Sequence, residues 1–172
     1  NRKIKKTNMT YKFPKSFWVI AEQIGYSRGV INTKILENNP RFNRGVKNKH
    51  VDTIGILGEL IALDYLTNKN IDFEMAKLLD LYPSKNADFI FKNKNIDVKS
   101  TLHFKSAHIL VNEEAHKKGL NKINMYWFIY ILDKENAEFY FVDYNDVSSW
   151  DCKLMGYTNA YYIKREDLKI KL

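Results

Sequence analysis

The sequence has 172 residues and a net charge of +8; 45% of the residues are hydrophobic and 14% aromatic. That composition favours a globular fold over disorder, and the length suits one domain with a proper core. A single cysteine, Cys152, excludes an internal disulfide and any multi-cysteine zinc site, and no apolar run approaches the length of a membrane span.

The excess of lysine and arginine suits a polyanionic partner, most simply nucleic acid, although a chain rich in Asn and Lys also reaches this charge through composition alone. No signal-peptide pattern is visible, so a cytoplasmic protein is expected.

In chain order, Asn1 to Thr10 reads as a frayed basic tail carrying Arg2, Lys3, Lys5 and Lys6. Pro14 precedes a helical pattern with Phe17, Trp18, Ile20, Ala21 and Ile24 on one broad face and Gly25 near its end. The helical spacing assigns these aromatics to core packing over base stacking. A second, weaker helix is predicted over Ser27 to Glu37, stopped by Asn38-Asn39-Pro40. Arg41, Arg44, Lys47 and Lys49 then fall within nine residues of an exposed basic loop. With Lys105 they are the candidate contacts to a DNA backbone; the plain alternative is a solvated loop.

The next helix is predicted over Asp52 to Leu66, with Asp52 as N-cap. Apolar residues surround nearly its whole axis, as in a buried helix. Glu59 is the only charged residue between Asp52 and Asp64. A carboxylate there needs a partner, a metal ion or Lys99, unless it sits at the edge of the buried face and reaches solvent. Gly55 and Gly58 would let a neighbouring element approach closely. Asn68 to Asn70 ends the helix. Ile71-Asp-Phe73 follows as a short strand, Glu74 to Leu81 as a brief helical turn, and Tyr82-Pro-Ser-Lys85 as a loop.

Asn86 to Ser100 reads as two strands joined by a tight turn: Phe89-Ile-Phe91, an Asn/Lys cluster, then Ile96 and Val98 alternating with Asp97 and Lys99. A two-residue turn at Asn93-Lys94 would set Lys92 opposite Asn95, Ile90 opposite Asp97 and Asp88 opposite Lys99. A four-residue loop gives the same pairing. Asp88, Asp97 and Lys99 then share one face, and Phe89, Phe91, Ile96 and Val98 share the other and can enter a core. A one-residue slip would separate Asp88 from the other two. Carboxylates and a lysine on one face suit Mg²⁺ held beside a substrate phosphate, with the lysine steadying an oxyanion or orienting water. The bland alternative is a solvated Asp–Lys pair on a surface strand.

Beyond Ser100 a strand is predicted over Ala107 to Val111. His103, His108 and His116 lie near it, but their spacing matches no zinc-ligand motif, and they are expected at the surface or facing DNA. Lys117, Lys118 and Lys122 join Lys105 in extending the basic surface. Met125 to Leu132 is apolar almost without interruption, as a central buried strand should be. Asp133-Lys-Glu-Asn136 turns the chain, and Glu138 to Val142 returns antiparallel. A short helix starting at Asp146 or Ser148 lies near Trp150, a late strand covers Ala160 to Ile163, and Lys164 to Leu172 forms a basic, partly helical end. No repeat or linker divides the chain. It is read as a single domain: a helical, basic extension over 1–50, a core over 51–143, and a C-terminal strand and tail over 144–172.

An acidic residue opening one strand, Asp-x-Lys on the next and a lone Glu on an upstream helix form a pattern that resembles the PD-(D/E)XK nuclease superfamily. Asp88 and Asp97-Val98-Lys99 carry the signature, with Ala87 in place of the usual proline. The resemblance covers roughly Asp52 to Leu132. It implies a restriction-endonuclease-like α/β fold, a mixed sheet of about four or five strands flanked by helices. It implies Mg²⁺-dependent hydrolysis of DNA, with Mn²⁺ able to substitute. Asp88, Asp97, the Val98 carbonyl and Glu59 would hold the metal, Lys99 would position or activate water, and the products would carry a 5′-phosphate and a 3′-hydroxyl. A restriction-type enzyme acting on foreign DNA is the leading expectation, with two active sites in a homodimer where both strands are cut. The alternatives are a structure-selective, Holliday-junction-resolvase-like nuclease, a non-catalytic nucleic-acid-binding module on the same fold, and a protein-interaction domain whose charge is incidental.

Overall fold

The computed structural model describes residues 9–35, 49–75, 87–102, 108–156 and 158–168. Its centre is strand β6 (Met125–Ile131), buried from Tyr126 to Ile131. Successive side chains of a strand point to opposite faces. Trp127, Ile129 and Ile131 enter one core with Phe13, Ala21, Ile56, Leu57, Ile61 and Phe89. Tyr126, Phe128 and Tyr130 enter a second core with Ile109, Val111, Tyr140 and Val147. Covering on both faces is why this run is apolar without alternation.

The strands around it are β1 (Met9–Lys12), β2 (Glu74–Met75), β3 (Phe89–Phe91), β4 (Lys94–Leu102) and β7 (Asn136–Asp143). They form a six-stranded sheet in the order β1-β7-β6-β4-β3-β2. The β4–β6 pair is parallel and every other pair antiparallel, so the sheet is mixed. Helices α1 (Ser16–Ile35) and α2 (Lys49–Asn68) supply the first core. The second core lies under a three-stranded antiparallel sheet, β5-β9-β8, made of β5 (His108–Asn112), β8 (Asp151–Met155) and β9 (Thr158–Lys164). Short helices α3 (Glu113–Lys118) and α4 (Tyr144–Val147) and a 3-10 turn at Arg165–Asp167 complete the α/β fold. Among the described residues no helix is long and apolar enough to cross a membrane.

Several elements depart from the sequence-based expectation. Met9–Lys12 is an edge strand of the main sheet, paired with β7, and not part of a frayed tail. One helix, α1, replaces the two predicted on either side of Gly25. A Cβ at Gly25 would lie 2.6 Å from the Thr53 nitrogen and 2.7 Å from its Cα. The glycine is the point where α1 meets the backbone of α2, and it ends nothing. Helix α2 begins at Lys49, so Asp52 lies in its first turn instead of capping it. Strand β2 occupies Glu74–Met75, where a helical turn was expected, while Ile71 and Phe73 pack against the first core outside any strand. Helix α4 starts at Tyr144, and β8 had no counterpart in the sequence reading. His116 is buried, not at the surface: Nδ1 lies 2.9 Å from the Tyr126 hydroxyl, Nε2 lies 2.9 Å from Ser148 Oγ, and the ring stacks on Tyr144. Burial lowers its pKa, which keeps the ring neutral in that packing.

Candidate active site

The β3–β4 hairpin turns at Lys92-Asn93, one residue earlier than the pattern suggested. Both residues have positive φ, +47° and +60°, as a two-residue type I′ turn requires. Phe91 therefore faces Lys94, Ile90 faces Asn95 and Phe89 faces Ile96. The register moves by two residues, which preserves the faces. Phe89 and Ile96 are buried in the first core, with Phe91 and Val98 packed against it, as expected.

Asp88 lies at a bend just before β3, outside the strand pairing. Its N–H donates to the Ile96 carbonyl at 2.9 Å, and its Oδ2 accepts the Val98 N–H at 2.6 Å. The carboxylate therefore lies along the edge of β4, where the pairing with β3 stops. A residue's N–H and C=O leave a strand on the same edge, so the Val98 carbonyl is directed to the Asp88 side too. Asp97 and Lys99 sit opposite Tyr126 and Phe128 in the parallel register and share their face of the sheet.

Glu59 approaches from the other face. Helix α2 lies close on β4 because Gly58 has no side chain: a Cβ there would come 2.5 Å from Ser100 Cβ. Ser100 Oγ donates to the Ile54 carbonyl at 2.7 Å, which fixes the contact. The next residue, Glu59, is only 9% exposed. Its Oε1 accepts from Arg28 Nη1 of α1 at 3.1 Å, a partly buried ion pair. The remaining cation, Lys99 Nζ, pairs with Asp97 Oδ2.

Glu59, Asp88, Asp97 and Lys99 are thus gathered around one strand edge, close enough to perturb one another. Burial raises the Asp88 carboxyl to about 7, and the charges of Asp97 and Glu59 push the same way against the Val98 N–H and Lys99. Burial also raises Glu59, with Asp97 adding to the effect, while Arg28 and Lys99 oppose it. Burial works against the charge on Lys99, but Asp97, Asp88 and Glu59 together outweigh it and raise its pKa. Lys99 is therefore an ammonium at neutral pH, suited to orienting water or steadying an oxyanion and unsuited to taking a proton. Its side chain is 40% exposed, so solvent and substrate can reach it.

Three carboxylates and a carbonyl are a hard-oxygen donor set of the Mg²⁺ type. The geometry is not that of a closed cage. Among the described residues no three His, Cys, Asp or Glu side chains are grouped to hold a metal, and Arg28 and Lys99 each engage a carboxylate oxygen.

Of the expected DNA contacts, Arg41, Arg44, Lys47 and Lys105 lie outside the described residues, and Lys49 opens α2 with its side chain undescribed. His103 lies outside as well. The sequence reading missed Arg28. Its signal was Gly25-Tyr-Ser-Arg-Gly29, two glycines one helical turn apart, where a close helix crossing brings the intervening arginine to α2. No family model matches this chain, and a search of curated proteins finds no match either.

Proposed function

We propose that this protein is a divalent-metal-dependent phosphodiesterase that cleaves DNA, built on a restriction-endonuclease-like arrangement of sheet and helix. The observation that carries the reading is the convergence of Glu59 of α2, Asp88 at the bend before β3, and Asp97 and Lys99 of β4 around one edge of β4. Mg²⁺, or Mn²⁺ in its place, held by Asp88, Asp97, Glu59 and the Val98 carbonyl, would supply Lewis acidity and lower the pKa of water. Asp88, half-protonated near neutral pH and anchored by the Val98 N–H, offers its carboxylate once a cation offsets the repulsion. Lys99, charged and partly exposed, orients the attacking water and stabilises charge growing on the phosphate. Arg28 favours the ionised form of Glu59 against burial and holds it in place. The net charge of +8 favours a polyanionic substrate, and cutting both strands would call for a homodimer.

The test is plasmid cleavage in Mg²⁺. Asp97→Ala and Lys99→Ala should each lower the rate at least about 100-fold; cleavage that survives both substitutions sinks the assignment. A non-catalytic nucleic-acid-binding module is the second reading, favoured by the engagement of the carboxylates by Arg28 and Lys99. It requires salt-dependent DNA binding that Mg²⁺ leaves unchanged, with no cleavage.

A further inference from the structure

Strand β8 is an edge of the three-stranded sheet, and among the described residues nothing pairs with its outer side. Asp151, Cys152 and Lys153 are exposed, and Leu154 is 68% exposed. Met155 faces Thr158 across a two-residue loop. The pair that closes such a loop exchanges backbone hydrogen bonds, and bonded pairs alternate along an antiparallel ladder. Asp151, Lys153 and Met155 therefore bond to β9, while Cys152 and Leu154 turn their N–H and C=O groups to the open edge. An open edge with an exposed apolar side chain is a template for another strand. A lone lysine there would guard against a second copy. Here Asp151 stands two residues from Lys153, on the same side of the strand. Lys153 Nζ lies 4.2 Å from the ring centre of Tyr162, the residue that faces Asp151 across the sheet, so the ammonium and the carboxylate share that side.

We propose that two copies of this chain associate through β8, antiparallel and centred on Cys152. In that register residue 151 of each copy meets residue 153 of the other, so two Asp151–Lys153 pairs form. The two Cys152 residues exchange backbone hydrogen bonds, and the two three-stranded sheets join into one. The neighbouring register, centred on Lys153, sets lysine opposite lysine and is disfavoured. A chain of net charge +8 repels its own copies in general, so self-association needs a place where the charges complement each other. The inference stands without the nuclease reading.

The test is the molar mass in solution, by sedimentation equilibrium from about 1 to 100 µM. The interface is small, so the mass should rise with concentration toward that of a dimer. Asp151→Lys sets lysine opposite lysine twice and should weaken association at least about tenfold. Adding Lys153→Asp makes the facing charges opposite again and should restore the dimer. Cys152 is the only cysteine, so diamide, which takes up the hydrogens of two thiols, should link wild-type copies by a disulfide and leave Asp151→Lys largely unlinked. A monomer throughout the range, a dimer that Asp151→Lys leaves intact, or a loss that the paired reversal fails to restore overturns the proposal. A dimer that does not cleave DNA in Mg²⁺ keeps the interface and overturns the nuclease; cleavage by a monomer does the reverse.

Discussion

Asp88→Asn separates the charge of the site from its shape. The amide oxygen can still accept the Val98 N–H, so the substitution removes the ionisable group and keeps the hydrogen bond. Asp88 is held at about 7 in the folded chain against an ordinary 3.8. Between those values the folded protein keeps a proton that the unfolded chain has released. The stabilisation from this group is therefore complete below about pH 4 and is lost as pH rises to about 7. The full difference corresponds to about 4 kcal/mol. Local rearrangement and water entry lower what an experiment would read to about 2–4 kcal/mol. Urea unfolding in the absence of divalent metal should find the variant within about 1 kcal/mol of wild type at pH 4.5 and more stable by about 2–4 kcal/mol at pH 8. Adding Mg²⁺ at pH 8 should raise the stability of the wild type and leave that of Asp88→Asn little changed, because a ligand stabilises only the form it binds. A gain of equal size at both pH values, or a loss at pH 8, would refute the claim that burial, reinforced by Asp97 and Glu59, disfavours the charged form of Asp88.

Arg28→Gln leaves Glu59 buried without its cation and should cost about 3–5 kcal/mol at pH 8 by denaturant unfolding. The cost should shrink as pH falls, because burial already raises the Glu59 carboxyl and removal of Arg28 raises it further, favouring the neutral form. Gly25→Ala drives a methyl group into the Thr53 backbone and should destabilise by about 1–3 kcal/mol. At Gly55, also within a helix, no described atom lies within 4 Å of an added Cβ. Gly55→Ala should therefore stabilise by about 0.5–1 kcal/mol, and equal effects at the two glycines would refute the crossing argument. Lys92→Asn combined with Asn93→Gly fits both positive-φ positions and should raise stability by about 1 kcal/mol in the same assay.

Periodicity made much of this fold legible. The unbroken apolar run of β6 reported a strand covered on both faces, and Glu59, alone on an apolar helix, reported a buried carboxylate that needs a partner. The hairpin faces survived a turn placed one residue late, because the resulting shift of two residues returns every side chain to its own side. Close approach was harder to read. A glycine late in a helical pattern looks like a stop, and only the α1–α2 contact distinguishes a helix end from a helix crossing. Strand β8 is exposed over most of its length, so it lacks the alternation that would have marked it.

Asp88 shows where face-based reasoning stops. Alternation assigns a side chain to one face or the other, and by that logic Asp88 belonged beside Asp97 and Lys99. What alternation could not show is that its carboxylate reaches the hydrogen-bonding edge of β4 and accepts the Val98 N–H that β3 leaves unpaired. Glu59 from one face, Asp88 at the edge and Asp97 from the other face can meet only where a neighbouring strand ends. The short length of β3 is therefore a condition of the site: one more paired residue would bond the Val98 N–H to backbone, displace the Asp88 carboxylate and close the edge around which the acidic groups gather.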